Sequence, residues 1–408
     1  MPTNQPTLLP FTDACAIVRR QLIAINDSET LPIDQAQDRV IADVISAPLA
    51  IPPYRNSAMD GYAFKFNDST APMRVVGTAY AGQPYTGEIS DGECVRIMTG
   101  ALLPEPTDTV AMQEHVTVED NCIRLPATIQ AGANVRHAGE DYRLGETVFS
   151  AGHYLRAPDI AVLAALGIAT VKVIRRLRVV YFTSGDELQE PGQPLAAGQL
   201  YNSNRYALAA LLERAGIDAE FGGNLPDRLE TLTQRLQAAA EQADVIITCG
   251  AVSVGTADHI AHFLAEQAKL FFAKLAIKPG KPMHFARLNK AWLFGLPGNP
   301  VSAMVTFLVL VQPALFQLMG AGWREPIYLP ARLQGPIRKR PGRLDFQRGI
   351  AARLPDGTIG VGSTGPQGSH LLGSISRANC LMLLPADAGD IAAESVIDIL
   401  PLGELYDG

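Results

Sequence analysis

The chain is short of charge, of aromatic residues and of cysteine. Charged residues make up 18% and aromatic residues 7% of 408 positions, against 47% hydrophobic residues, the balance of an ordinary globular protein. A net charge of -7 argues against a broad nucleic-acid footprint, because a surface that tracks phosphates needs clustered Lys and Arg to release counterions. Any anionic ligand must therefore be met by a local basic cluster. The five cysteines, Cys15, Cys94, Cys122, Cys249 and Cys380, are scattered, odd in number and without a C-x-x-C pair. That pattern fits reduced thiols in a cytoplasmic protein better than a disulfide frame, and it shows no zinc site. His259 and His262 stand at helical spacing without a Cys or carboxylate pattern beside them. No basic segment followed by an apolar one opens the chain, so no signal peptide is expected, and no long low-complexity linker divides it.

Two to four domains are expected at this length. One stretch carries no charge at all, from Ala291 to Trp323, and within it Val301 to Met319 comes close to the roughly 20 residues that span a bilayer. Ser302, Thr306, Gln312, Pro313 and Gln317 interrupt it and no Lys or Arg flanks its start. A core helix covering a parallel sheet has the same composition, and no membrane span is expected. Its entry is Pro297-Gly298-Asn299-Pro300, after the short apolar run Trp292 to Leu296. The pattern predicts a buried strand, a tight turn and a helix with Asn299 as cap and Pro300 at its first position. Such a turn aims backbone N–H groups at an oxyanion; a strand-to-helix turn with no ligand would read the same way.

In chain order, Phe11 to Ile25 predicts an amphipathic helix capped by Thr12. From Val40 to Phe149 short β-type runs alternate with Gly, Pro and Asp, as in a β-rich insert. Asp60-Gly61 is a hairpin-turn signal. Ala157-Pro158-Asp159 opens a helix ending at Gly167, and the following run returns as a strand to the first region. From Arg178 to Gly322 strand, loop and helix alternate. Glycine-bearing loops follow three apolar strands, which predicts an open, mainly parallel α/β sheet with ligands at the carboxyl ends of its strands. Glu325 to Gly408 reads as a small all-β domain.

The predicted crevice collects Asp186 and Glu187, with Asp258 and Asp227 as further candidates; hard carboxylate oxygens on different strand ends suit a Mg²⁺ that bridges phosphate oxygens. Asp227 and Glu230 also match a capping box, which is a structural alternative. Lys274, Lys278 and Lys281 lie on a loop stiffened by Pro279 and Pro282, so their ammonium groups can be fixed near an anion, although solvated surface lysines share that pattern. The combination points to Mg²⁺-assisted phosphoryl or nucleotidyl chemistry.

PPYRNSAMDGYA, RIMTGALLP, NVRHAGED, SGDELQEPGQPL, LAIKPGKP and GLPGNPVSA, in this order, closely resemble the bacterial molybdopterin molybdenumtransferase family, related to the gephyrin E domain. QGSHLLGSISRANCL extends the resemblance towards the C-terminus. The resemblance implies a multidomain α/β plus β fold: an elongated discontinuous dimerisation domain (1–50 and 142–177), a β-rich insert (51–141), an open, mainly parallel α/β molybdopterin-binding core (178–325) and a C-terminal small β-barrel-like domain (326–408). It implies a cytoplasmic homodimer that inserts molybdate into adenylyl-molybdopterin with Mg²⁺ or a similar ion, releasing AMP. Transient contacts with the adenylylating enzyme and with cofactor-accepting molybdoenzymes follow from the same resemblance. Carried over by position, Glu187, Asp227 and Asp258 are metal candidates, and Glu187, Asp258, Lys274, Lys278 and Asp60 catalytic ones. Thr99, Arg136, Asp141, Ser184, Gly250, Ser253, Pro297, Asn299, Pro300 and Ser369 are substrate-binding candidates. Three residues depart from the family pattern: Ala251 for glycine, Thr256 for an acidic residue and Asn202 for aspartate. An adenylyltransferase using MgATP and a non-catalytic scaffold are the alternatives.

Overall fold

The computed structural model describes residues 8–67, 71–250 and 259–403. Ala251, Ser253, Thr256 and Asp258 therefore lie outside the described residues. The chain folds as two compact units, Thr30–Val173 on the one hand and Met1–Glu29 with Ile174–Gly408 on the other.

Within Thr30–Val173, six strands pair in the order Thr109–Met112, Gly61–Phe64, Glu93–Ile97, Met73–Ala79, Cys122–Arg124, Thr117–Glu119. Side chains alternate across the sheet, so Ala63, Val95, Ile97 and Val110 pack on one face and Tyr62, Phe64, Cys94 and Ala111 on the other. Asp60 ends a bend and Gly61 opens a central strand directly after it, so the pair is not a hairpin turn. Gly61 is required there because a Cβ would run into the Ala111 carbonyl of the paired strand. A second cluster, including Ile41, Leu155, Leu163 and Val173, gathers around the helix Ala157–Ala165. That helix begins as expected, with the Asp159 carboxylate accepting the Arg156 N–H at 2.8 Å, and Gly167 follows its end at φ 72°.

In the larger unit the alternation of strands and helices builds an α/β core: Val179–Ser184 (β1), Ser203–Arg214 (α1), Ala219–Leu225 (β2), Leu229–Gln242 (α2), Val245–Cys249 (β3), His259–Gln267 (α3), Lys269–Lys274 (β4), Pro282–Leu288 (β5) and Ala291–Leu296 (β6). The spatial order is β2-β1-β3-β6-β5-β4, with the first four strands parallel and the pairings of β5 antiparallel. β3 and β6 are buried along their whole length, which is why they read as unbroken apolar runs. The chain leaves β1 for β2 on one side and comes back to β3 on the other, so the crossovers diverge and open a crevice at the carboxyl ends of β1 and β3.

After β6 comes the apolar helix Pro300–Leu318 (α4), which has the length and composition to cross a membrane but is 72% buried inside the protein. It widens by one residue per turn over Phe307–Val311. Pro313 explains this, since it has no N–H to offer the Val309 carbonyl and its ring pushes that carbonyl away.

The last segment closes as a barrel of five strands, Leu329–Leu333 (β7), Leu344–Arg353 (β8), Ile359–Ser363 (β9), Cys380–Leu384 (β10) and Val396–Pro401 (β11), in the order β8-β9-β7-β11-β10 with β10 returning to β8. Leu333, Val361, Met382, Leu384 and Ile399 fill it. The N-terminal helix spans Phe11–Gln21 and packs on this unit, where Gln317 donates to the carbonyls of Arg19 and Leu22 at 2.7 and 2.6 Å. It stops before Ile25, because the chain turns extended at Leu22. Thr12 is not its cap; Pro10 occupies that position and Thr12 lies inside the first turn.

Candidate active site

Three strand ends of the core come into van der Waals contact. Beyond β3, Gly250 donates its N–H to the Leu296 carbonyl of β6 at 3.2 Å. A Cβ on Gly250 would lie 2.6 Å from the Ser184 carbonyl of β1, and one on Gly298 would lie 3.4 Å from the Gly250 Cα. Gly250 also has φ 103°, so a side chain is barred there by both backbone conformation and space. Cys249 donates its thiol to the Pro297 carbonyl at 3.2 Å. Burial pushes that thiol up to about 12, so it is an inert structural group.

β2 and α1 tie the same loops from the sides. Asn224, at the end of β2, donates its amide to the Gly185 carbonyl at 2.8 Å. Asn204, in the first turn of α1, donates to the Gly298 carbonyl at 2.7 Å. Neither asparagine was expected from the sequence; a polar residue at a strand end and another at a helix start are the signals that could have marked them. The amide oxygen of Asn204 and the Ser184 hydroxyl are buried and have no hydrogen-bond partner among the described residues. Buried polar atoms are nearly always satisfied, so both suit contacts to a polar ligand in the crevice.

Asn202, which departs from the resembled aspartate, is a buried cap: its oxygen accepts the Arg205 N–H at 3.2 Å and its amide donates to the Thr183 hydroxyl at 2.8 Å. An amide serves both partners, where a carboxylate could only accept.

The acidic residues divide. Asp186 and Glu187 are exposed after β1, with the Glu187 carboxylate folded back over Gly185, whose φ is 138°. The Asp227 N–H donates to Asp186 Oδ1 at 3.4 Å, which brings the β2 loop beside the β1 loop. Asp227 is not a helix cap: α2 begins at Leu229 with Arg228 in the capping position and no side-chain bond there. No group of three His, Cys, Asp or Glu residues gathers as a metal cage among the described residues. Mg²⁺ does not require one, since it is held by one or two carboxylates with substrate phosphates and water completing its shell. Asp186 and Glu187 fit that role by chemistry and position.

Pro300 starts α4 as expected, and Asn299 is its capping residue without making a side-chain cap bond. Its amide instead donates to the Ser369 hydroxyl at 3.0 Å, while the Val301 N–H donates to the Ser369 carbonyl at 3.2 Å. The barrel thus delivers Ser369 to the PGNP turn. Arg348, buried in β8, holds that loop by donating to the Gly368 carbonyl at 3.0 Å and to the Ser374 hydroxyl at 3.1 Å; nothing in its sequence context marks it.

Lys274 ends β4 and is half-buried, close enough to reinforce burial in holding His284 down at about 4 and hence neutral. Lys278 pairs with Asp345 of β8 at 3.2 Å, and Asp345 is 2% exposed. The Lys278 ammonium therefore compensates a buried carboxylate. Lys281 is exposed.

In the other unit, Asp60 and Thr99 come together: Asp60 Oδ1 accepts the Thr99 N–H and hydroxyl, both at 2.8 Å. Those two bonds hold the Asp60 carboxyl below its ordinary range. Arg136 lies opposite Asn56 in a short antiparallel pair, and Asp141 is tied through its N–H to the Ile51 carbonyl at 2.9 Å; both side chains are exposed.

Comparison with known proteins gives three family matches along the chain: the MoeA N-terminal region (domain I and II) at residues 9–167, a probable molybdopterin binding domain at 181–317, and the MoeA C-terminal region (domain IV) at 330–402. A molybdopterin molybdenumtransferase of Haemophilus influenzae is 40% identical over 402 residues, 98% of this chain and 100% of that protein. One from a Nostoc species is 34% identical over 392 residues, 92% and 88% of the two chains. The crystal structure of the molybdopterin biosynthesis moeA protein of Pyrococcus horikoshii superposes with a TM-score of 0.82 at 27% identity, covering 97% of this chain and 100% of that one.

Proposed function

This chain belongs to the molybdopterin molybdenumtransferase family, enzymes of molybdenum cofactor biosynthesis, and on that premise we propose that it inserts molybdate into adenylyl-molybdopterin, with Mg²⁺ assistance and release of AMP. The observation that carries the reading is the meeting of the β1, β3 and β6 ends at Ser184, Gly250 and Gly298. It leaves one crevice edged by two exposed carboxylates, Asp186 and Glu187, and two unpartnered buried polar atoms. A phosphoanhydride substrate needs those features together.

In this reading the first turn of α4, with Pro297, Asn299, Pro300 and Ser369, receives the negative tail of the pterin, where helix-terminal N–H groups favour anions. Ser184, Asn204 and Gly250 line the pocket, with Ser253 from the β3 loop. Lys274 and Lys278 reduce the negative potential that phosphate and molybdate meet. Glu187, with Asp186, Asp227 and Asp258, would hold the cation, whose chemistry is to polarise the phosphoryl oxygens and stabilise charge on the leaving AMP. The residues of the chain bind, orient and neutralise; no side chain is required to form a covalent intermediate.

The same reading makes the protein a cytoplasmic homodimer of four-domain subunits, divided near residues 50, 141, 177 and 325. Asp60, Thr99, Arg136 and Asp141 of one subunit complete the crevice of the other. It is supported by the family resemblance of the insert loops and by the pre-set Asp60–Thr99 pair.

The test is incubation of purified protein with adenylyl-molybdopterin, molybdate and Mg²⁺, following AMP and cofactor. Adenylate consumed only with molybdate present is expected. Formation of adenylate from ATP would replace the reading with an adenylyltransferase, and neither reaction would leave a scaffold.

A further inference from the structure

The segment between β1 and α1 carries Glu187, whose side chain has no ion-pair partner among the described residues, so its placement depends on the backbone beneath it. That backbone is held by a two-residue ladder, Leu188–Gln189 against Leu200–Tyr201, with the Leu200 N–H on the Glu187 carbonyl at 2.9 Å. The ladder is only two residues long, so the contacts beyond it share in setting the position of the loop. Directly beyond it, Glu190 Oε2 accepts from Arg205 Nη1 at 2.6 Å and from the Tyr206 hydroxyl at 2.9 Å. The Arg205 guanidinium is in turn pinned 4.2 Å above the Phe221 ring of β2. The Arg205 N–H is the one capped by Asn202, and neighbouring Asn204 reaches the PGNP turn.

We propose that Glu190 and Arg205 are positioning residues: their ion pair clamps the β1–α1 loop onto α1 and so fixes Glu187 relative to Asn204 and the β6 loop. The expected effect on cation binding rests on the cation-holding role proposed for Glu187; the clamping of the loop does not. Both side chains are about one-third exposed. An ion pair at that exposure contributes little to stability, so a purely structural pair would leave stability and function alike almost unmoved by its removal. A pair that orients a ligand-holding carboxylate behaves differently, because partners one step behind a metal ligand typically change affinity or turnover about 10- to 100-fold.

The experiment compares Glu190→Gln, Arg205→Gln and the conservative Glu190→Asp and Arg205→Lys in the full-length protein. Four readouts are taken: Tm, amide hydrogen exchange at Leu200, Mn²⁺ binding followed by electron paramagnetic resonance, and turnover against Mg²⁺ concentration. With the amide variants, faster exchange at Leu200, about 10-fold weaker Mn²⁺ binding and an unchanged Tm are expected, with partial recovery in Glu190→Asp. Unaltered Leu200 exchange in both amide variants would overturn the proposal. Faster exchange and lower turnover, with Mn²⁺ binding unmoved there and in Glu187→Gln, would uphold the positioning role and overturn the cation role of Glu187.

Discussion

Replacing Gly250 by alanine tests whether the crevice depends on three strand ends in contact. At φ 103° a side chain is in a region that costs about 1–3 kcal/mol. The new Cβ, 2.6 Å from the Ser184 carbonyl, meets backbone that cannot rotate away, and overpacking of that kind costs about 1–3 kcal/mol more. A loss of about 2–6 kcal/mol is therefore expected from the core. Gly298→Ala is the matched control: its Cβ would make only an ordinary 3.4 Å contact with Gly250, at an exposed position where substitutions cost about 0.5 kcal/mol or less. Urea unfolding followed by fluorescence of Trp292, which lies opposite Val245 in the β3–β6 pairing, reads the relevant transition once Trp323 is replaced by Phe. Equal midpoints for the two alanine variants would refute the reasoning.

Asn202→Asp keeps the cap on Arg205 but loses the donor to Thr183, so a destabilisation of about 1 kcal/mol is expected in the same assay. A stability gain would contradict the assigned donor. Asp244 is desolvated, which raises its pKa, but bonds from Arg175 and Arg178 outweigh burial and hold it at about 2 instead of 3.8. Its folded pKa is the lower one, so its contribution is complete above about pH 4 and is lost as pH falls towards 2. After allowance for solvent screening it is worth about 1 kcal/mol. Asp244→Asn should therefore flatten the fall of Tm between those values, and an unchanged acid limb would remove the ion pair from consideration. Glu187→Gln is expected to cripple turnover while Tm stays within error; full turnover would rule out a metal role for Glu187.

Much of the architecture was legible because its signals are local. Unbroken apolar runs mark β3 and β6, the Pro-Gly-Asn-Pro turn marks the entry to α4, and Ser203–Arg214 begins where polar helix-starting residues end the preceding loop. Local signals also misled. Asp227 and Glu230 have capping-box spacing, but the helix starts after Arg228 and the Asp227 N–H turns to Asp186 on another strand end. Asn299 looked like a side-chain cap, yet its amide is taken by Ser369, 70 positions along the chain. The Glu190–Arg205 pair, the Asn224 and Asn204 tethers and the Arg348 support are tertiary: the first three need the α/β core assembled and the last needs the barrel closed, and no spacing along the chain encodes them.

The most direct measurement of where chemistry occurs is a crystal structure of the protein with adenylyl-molybdopterin bound in the presence of molybdate. Density for the phosphates between Ser184–Glu187 and Pro297–Asn299, within hydrogen-bond reach of the Ser184 hydroxyl and bridged by a water to the Asn204 amide oxygen, is the result expected. Density elsewhere, such as the groove between Arg176 and Ala243 on the far side of β1 and β2, with the strand-end crevice empty, would contradict it.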